Sequence, residues 1–260
     1  MNAARAAGLA LVVALATTVG ACSDAPLSLG ADPDFLWWSD HESGDLSDWT
    51  RTSDTGSGAT YVVGGDVAVS TDRARSGTHA LRSTVTATGS TAAQIFRAGF
   101  GARAAYYGAW FSLPASATPA SYWVFFSFHA RMASGADVAL WDVKLAPGAD
   151  GLELALLHHD SGDVAPVAHV AVPLDRWFQV ESSFVASPGA DGRLQVWLDG
   201  ALAFDVAGPT SPADPSTAPV TWTVGTNTDG LTPTPATLYI DDAYVSKRRL
   251  GPDFPVFWRP

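Results

Sequence analysis

After residue 34 no helical hydrophobic period of useful length can be traced through the chain. What recurs is a short alternating or apolar run, broken each time by glycine, proline, serine or aspartate. Thirteen such runs follow one another at roughly regular spacing: ATYVVGG, DVAVST, HALRSTVTAT, YYGAWFSL, YWVFFSFHAR, DVALWDVKLA, LELALLHH, AHVAVPL, WFQVESSFVA, RLQVWLDG, ALAFDVAG, VTWTVG and TLYIDDAYVS. Alternation with period two buries one face of a strand, and turn residues at fixed intervals return the chain. The pattern predicts an all-β, two-sheet antiparallel sandwich or jelly roll. In QVWLDG, Leu194, Val196 and Leu198 alternate with Gln195, Trp197 and Asp199, and Asp199-Gly200 is a hairpin signal.

Composition fits a folded chain. Of 260 residues 47% are apolar, enough to bury a core, and only 16% are charged. The net charge of -11 repels phosphate, and there is no basic stripe with interleaved aromatics, so no nucleic-acid partner is expected. A monomer is expected. The N-terminus is more specific. Residues 6–18, AAGLALVVALATT, form an apolar run the length of a signal-peptide core and too short to span a bilayer. VGAC follows, ending at Cys22, the only cysteine. Small residues before a cysteine at this place resemble the bacterial lipobox, which implies acylation of Cys22 and a membrane partner through the lipid anchor. The expected organisation is a signal peptide over 1–21, an acylated cysteine and tether over 22–34, a jelly roll over 35–248 and a tail over 249–260, with Phe254, Phe257 and Trp258 packing back. The expected location is the cell envelope, outside the cytoplasm. Ser23 lacks the aspartate that retains lipoproteins at an inner membrane, which favours the outer membrane or cell surface.

Three stretches together carry a family resemblance. SDHESGDLSDW (39–49) resembles the opening of extracellular jelly-roll domains. PLDRWFQVESSFVASPGADGRLQVWLDGALAFD (173–205) resembles the tryptophan strand and hairpin of laminin-G and concanavalin A-like folds, and TLYIDDAYVS (237–246) resembles their closing strand. The chain is most similar to heparin-lyase-like and glucuronan- or alginate-lyase-like polysaccharide lyases over about residues 35–248. This implies a polysaccharide partner, with uronate polymers among the candidates. It also implies a structural calcium ion held by Glu42, Asp45 and Asp241, since calcium takes six to eight oxygen ligands.

Period-two reading of YWVFFSFHAR places Tyr122, Val124, Phe126, Phe128 and Ala130 in the core and Trp123, Phe125, Ser127, His129 and Arg131 on the other face. The second set suits a sugar groove, with Trp123 stacking on the sugar and Ser127, Gln94 and Lys144 as polar contacts. In the lyases a histidine on this strand, or a neighbouring tyrosine, removes the proton beside the carboxylate while other groups quench its charge. The resemblance thus implies His129 as base and Arg97 or Arg131 as quencher. The lyases usually carry glutamine where this chain has Ser127. Adjacent His158 and His159 point to opposite faces and cannot readily share one metal ion. Glycoside hydrolysis finds no pair of closely spaced carboxylates, since Glu42, Glu153 and Glu181 are the only glutamates. Two readings stay open: a polysaccharide lyase acting by β-elimination, and a non-catalytic carbohydrate-binding or structural envelope lipoprotein.

Overall fold

A computed structural model describes residues 33–53, 56–100, 102–132, 134, 136–148, 151–212 and 220–254. Cys22, the signal peptide, most of the tether, Phe257 and Trp258 lie outside the described residues. In chain order the elements are β1 (Phe35–Ser39), α1 (Ser47–Thr50), β2 (Ser57–Val63), β3 (Gly65–Ser70), β4 (Ala80–Val85), β5 (Thr91–Ala98), β6 (Ala104–Ser112), β7 (Thr118–Pro119), β8 (Trp123–Arg131), β9 (Asp137–Gly148), β10 (Gly151–His158), β11 (Gly162–Val164), β12 (Trp177–Val185), β13 (Arg193–Leu198), β14 (Ala201–Ala207), β15 (Val220–Thr228), β16 (Leu231–Thr232) and β17 (Ala236–Ser246).

Two antiparallel sheets face each other, as the alternation predicts. One has seven strands in the order β11-β10-β9-β8-β15-β5-β2. The other has eight, in the order β14-β13-β12-β6-β17-β4-β3, with β1 also on β17. The crossovers arise because β8, from mid-chain, pairs with β15, while β6 pairs with β17. Among the described residues no helix is long and apolar enough to cross a membrane.

The layer between the sheets is aromatic. Phe111 and Phe178 from the eight-stranded sheet meet Phe125 from the other, with ring centroids 4.9 and 6.3 Å from it. Phe128 stacks on Phe184 at 4.4 Å. Burying a side chain of this kind contributes roughly 1.5–3 kcal/mol. One expected strand is not formed: AHVAVPL meets β10 in a single bridge between Glu153 and Ala171 and in a His169–Glu153 contact at 3.1 Å. Conversely, β1 and β5 were not among the thirteen runs. Both carry apolar residues on consecutive positions, which hides the alternation.

The segments at both ends of the described residues pack onto the eight-stranded sheet. Glu181, nearly fully buried, accepts hydrogen bonds from the Tyr244 hydroxyl (2.8 Å), the Leu250 amide (2.8 Å) and Arg249 Nε (3.1 Å). Tyr244 reaches it by lying over Gly108, where a Cβ would come within 2.3 Å of the ring. Phe254 packs on Phe35 with centroids 5.8 Å apart, as expected of it, so the domain's packing extends past residue 248.

Candidate functional site

The outer face of the seven-stranded sheet carries the site, and a β-bulge decides which residues stand on it. Val124 pairs with Lys144 and Phe126 with Val143, so Phe125 is an extra residue on β8. Alternation flips there. Trp123 and Phe125 point inward before the bulge, and Phe126, Phe128 and Ala130 point inward after it. The expectation that Trp123 stacks on a sugar is therefore corrected. Its ring is fully buried, and its Nε1 donates to Thr226 Oγ1 at 3.2 Å. Tyr122 and Val124, expected in the core, take the outer face instead. Burial, with the carboxylates of Asp229 and Asp142 nearby, raises the Tyr122 phenol above its ordinary range.

Beyond the bulge the sequence reading holds, and Ser127, His129 and Arg131 share the outer face. His129 Nδ1 lies 2.8 Å from Asp137 Oδ2, and its Nε2 lies 3.3 Å from Ser127 Oγ. If Nδ1 carries the proton toward the carboxylate, the lone pair is left on Nε2. On the next strand Asp142 stands in register opposite Ser127, and its Oδ2 lies 2.9 Å from His159 Nε2. The bond to Asp142 raises the His159 pKa; burial opposes this, and Asp142 and Asp160 add to the rise while Lys144 reduces it. Lys144, two residues along β9, holds Asp163 at 2.7 Å. The face thus matches Asp137, Asp142 and Asp163 with His129, His159 and Lys144. Neither Asp137 nor His159 was singled out for catalysis by the sequence reading. Asp137 lies eight residues beyond His129, across a turn that the linear spacing does not reveal.

Gln94 is on the same face, because Ala93 and Ile95 beside it point into the core. It pairs in register with Tyr61 on edge strand β2, whose ring is 56% exposed. Tyr61 is the exposed aromatic that sequence reasoning sought in Trp123. His158, as expected, turns the other way and stacks on Trp141 at 4.1 Å.

Ser127, His129 and Asp137 have the hydrogen-bond order of a serine-hydrolase triad. Exposure separates the roles. Ser127 is 1% exposed, whereas the His129 and His159 side chains are 23% and 34% exposed. Solvent thus reaches the imidazoles and not the serine hydroxyl, which lies against His129 Nε2.

Arg97 does not join the site, which corrects its expected role as charge quencher. It follows Ile95 in the inward phase of β5 and is 2% exposed. Its Nη1 donates to the carbonyls of Trp49 (2.6 Å) and Arg51 (3.1 Å), and its Nη2 to Ser53 Oγ (3.0 Å) and the Gly56 carbonyl (3.3 Å). The guanidinium also lies 5.6 Å from the Trp37 ring centroid. It fastens the crossing from α1 into β2. Arg131 stays with His129, exposed at the end of β8 and in register with Asp137.

The expected calcium ligands Glu42, Asp45 and Asp241 each bind donors of the chain. Glu42 Oε1 accepts the amides of Thr78 (2.8 Å) and His79 (2.7 Å), and Oε2 accepts the Thr78 hydroxyl (3.0 Å). Burial alone would raise the Glu42 carboxyl, but these bonds hold it below its ordinary range. Asp241 Oδ2 accepts the amides of Arg75 and Ser76, and Oδ1 accepts the amide of Asp242. Asp45 accepts the Ser47 amide and the Ser43 hydroxyl. Each of these carboxylates is thus held by donors of the chain itself. Among the described residues no group of three His, Cys, Asp or Glu side chains could hold a metal ion.

Two facing antiparallel sheets, with a polar outer face on one of them, make this chain a β-jelly roll. Its fold matches the endo-β-1,4-glucuronan lyase of the fungus Trichoderma reesei with a TM-score of 0.57 at 15% identity, covering 85% of this chain and 100% of that one. It matches an alginate lyase from Chlorella virus at 0.51 and 11% identity, covering 75% and 93%. It also matches a carbohydrate esterase from the Shiga toxin-encoding bacteriophage phi24B at 0.52 and 15% identity, covering 81% and 97%. No protein-family model and no curated protein sequence matches the chain. Lyase and esterase share this fold, so the chemistry has to be argued from the side chains.

Proposed function

We propose that the outer face of the seven-stranded sheet binds a polysaccharide and that His129 breaks it by β-elimination. The observation that carries this is the His129–Asp137 contact on an open face of a lyase-type fold. A carboxylate on Nδ1 fixes the ring and leaves Nε2 as the proton acceptor. In a uronate polymer the proton removed lies beside the sugar carboxylate, and the developing negative charge needs a cation. Arg131, two residues along the strand on the same face, supplies one. Its planar fork suits a carboxylate.

The test is incubation with uronate polymers while following the ultraviolet absorbance of the new C=C bond. Wild-type protein should generate it. His129→Ala should lose it while still binding polymer, and Asp137→Asn should lower it by about 10²-fold or more, within the usual range for general acid–base groups. Retained turnover in His129→Ala would remove the assignment. A second reading, a binding module without turnover, is favoured by Ser127 standing where the resembled lyases carry glutamine. In that case polymer is retained by wild type and no absorbance appears.

The same proposal places the domain on a membrane through acylated Cys22, supported by the apolar run at 6–18 and the VGAC sequence. Metabolic labelling with a fatty acid should mark the wild-type chain and not Cys22→Ser.

A further inference from the structure

The face holds a second imidazole–carboxylate pair that the proposed reaction has not used. Asp142 stands opposite Ser127 on the neighbouring strand, and Ser127 is two residues from His129. A strand spacing of about 4.8 Å and a rise of about 3.3 Å per residue put the backbones of Asp142 and His129 about 8 Å apart. His159 is anchored to Asp142 through Nε2 at 2.9 Å and is one-third exposed. Its own amide donates to the Leu140 carbonyl at 3.1 Å, which fixes its place at the end of β10. His129 pairs with Ala139, and His158, next to His159, pairs with Trp141, so the two accessible imidazoles flank β9 from β8 and from the end of β10, each on its own aspartate.

We infer that His159, held by Asp142, is the general acid that protonates the departing sugar oxygen while His129 removes the proton on the other side of the same linkage. The inference rests on the proposed elimination and completes its proton balance. His129 Nε2 takes the proton beside the carboxylate. The C–H electron pair becomes the C=C bond, the bond from the adjacent carbon to the glycosidic oxygen breaks, and that oxygen leaves with the electron pair and takes the proton of His159. The enzyme ends with His129 protonated and His159 neutral, and exchange with water resets both.

The groups around His159 favour its cationic form before the reaction. Asp142 and Asp160 raise its proton affinity, and burial and Lys144 counter them in part. Asp163 in turn pairs with Lys144, and Tyr122, just before β8, feels the Asp142 charge. A pair of titratable groups with different surroundings is the usual basis for separating acid from base.

The experiment compares two uronate substrates, one with a sugar leaving group and one with a 4-O-nitrophenyl group, which departs without a proton. His159→Asn should slow the sugar substrate by about 10²-fold or more and leave the nitrophenyl substrate within a few-fold of wild type. Asp142→Asn should act in the same direction and move the alkaline limb of the pH–rate profile to lower pH. His129→Ala should abolish turnover of both substrates. Equal loss on both substrates in His159→Asn, or no loss on either, overturns the acid role and leaves the base assignment standing. A wild-type protein that cleaves neither substrate overturns both.

Discussion

Replacing Arg97 with methionine tests whether this residue belongs to the framework or to the sugar site. Methionine fills much of the same volume and keeps contact with Trp37, but it removes donors from the carbonyls of Trp49, Arg51 and Gly56 and from Ser53 Oγ. Hydrogen bonds to charged groups contribute about 1.5–3 kcal/mol each, and losses within one cluster do not add fully. Leaving these buried acceptors without donors costs about 1–3 kcal/mol each, so about 3–5 kcal/mol is the appropriate scale for the cluster. At about 2–4 °C per kcal/mol for a domain of this size, melting should fall by about 6–20 °C. Thermal unfolding by tryptophan fluorescence gives the shift, and affinity electrophoresis in glycan, run well below the variant's melting point, gives binding. The variant should bind like wild type. Unchanged melting with lost binding would show that Arg97 faces the ligand and would refute the reasoning.

Trp123 should behave as a core residue, and Tyr61 as the aromatic that meets glycan. Trp123→Ala should cost about 3–5 kcal/mol through the cavity it leaves, seen in urea unfolding. Tyr61→Ala should weaken glycan retention several-fold with stability within about 0.5 kcal/mol of wild type. The Asp242 carboxyl is pushed up from 3.8 to about 6 by burial and by Asp241, against the pull of Arg75 and Ser76. The folded state therefore binds an extra proton between those values, and stability should fall as pH rises from about 4 to about 6. Asp242→Asn should flatten that slope in urea titrations at stepped pH. Excess EGTA should leave the melting temperature unchanged, because amides and hydroxyls already fill Glu42 and Asp241; a clear drop would restore a calcium site.

The sandwich was legible because alternation and turn residues are local signals. Both sheets, the RLQVWL–ALAFDVA hairpin and the core positions Phe126, Phe128 and Ala130 follow from them. The bulge at Phe125 was not legible: five apolar residues from Tyr122 to Phe126 satisfy either phase, so nothing local marks the extra residue. That one residue exchanged Trp123 with Tyr122 and Val124. Arg97 misled because the resemblance implies a groove arginine in this region, whereas Ile95 two positions earlier already set an inward phase. The aspartates that orient His129 and His159 come from β9, and only register shows which residues face them. Glu181 gave no local sign either, since its partners Tyr244 and Leu250 lie 63 and 69 residues away.

The most direct test of where the glycan lies uses the six histidines as reporters. Imidazole proton resonances are followed while a uronate oligosaccharide is titrated into the protein. His129 and His159 should shift together and saturate at one affinity, while His41, buried at Asp241, and His79, at Glu42, stay fixed. Shifts at His41 and His79 with His129 unmoved would put the ligand elsewhere and contradict the account.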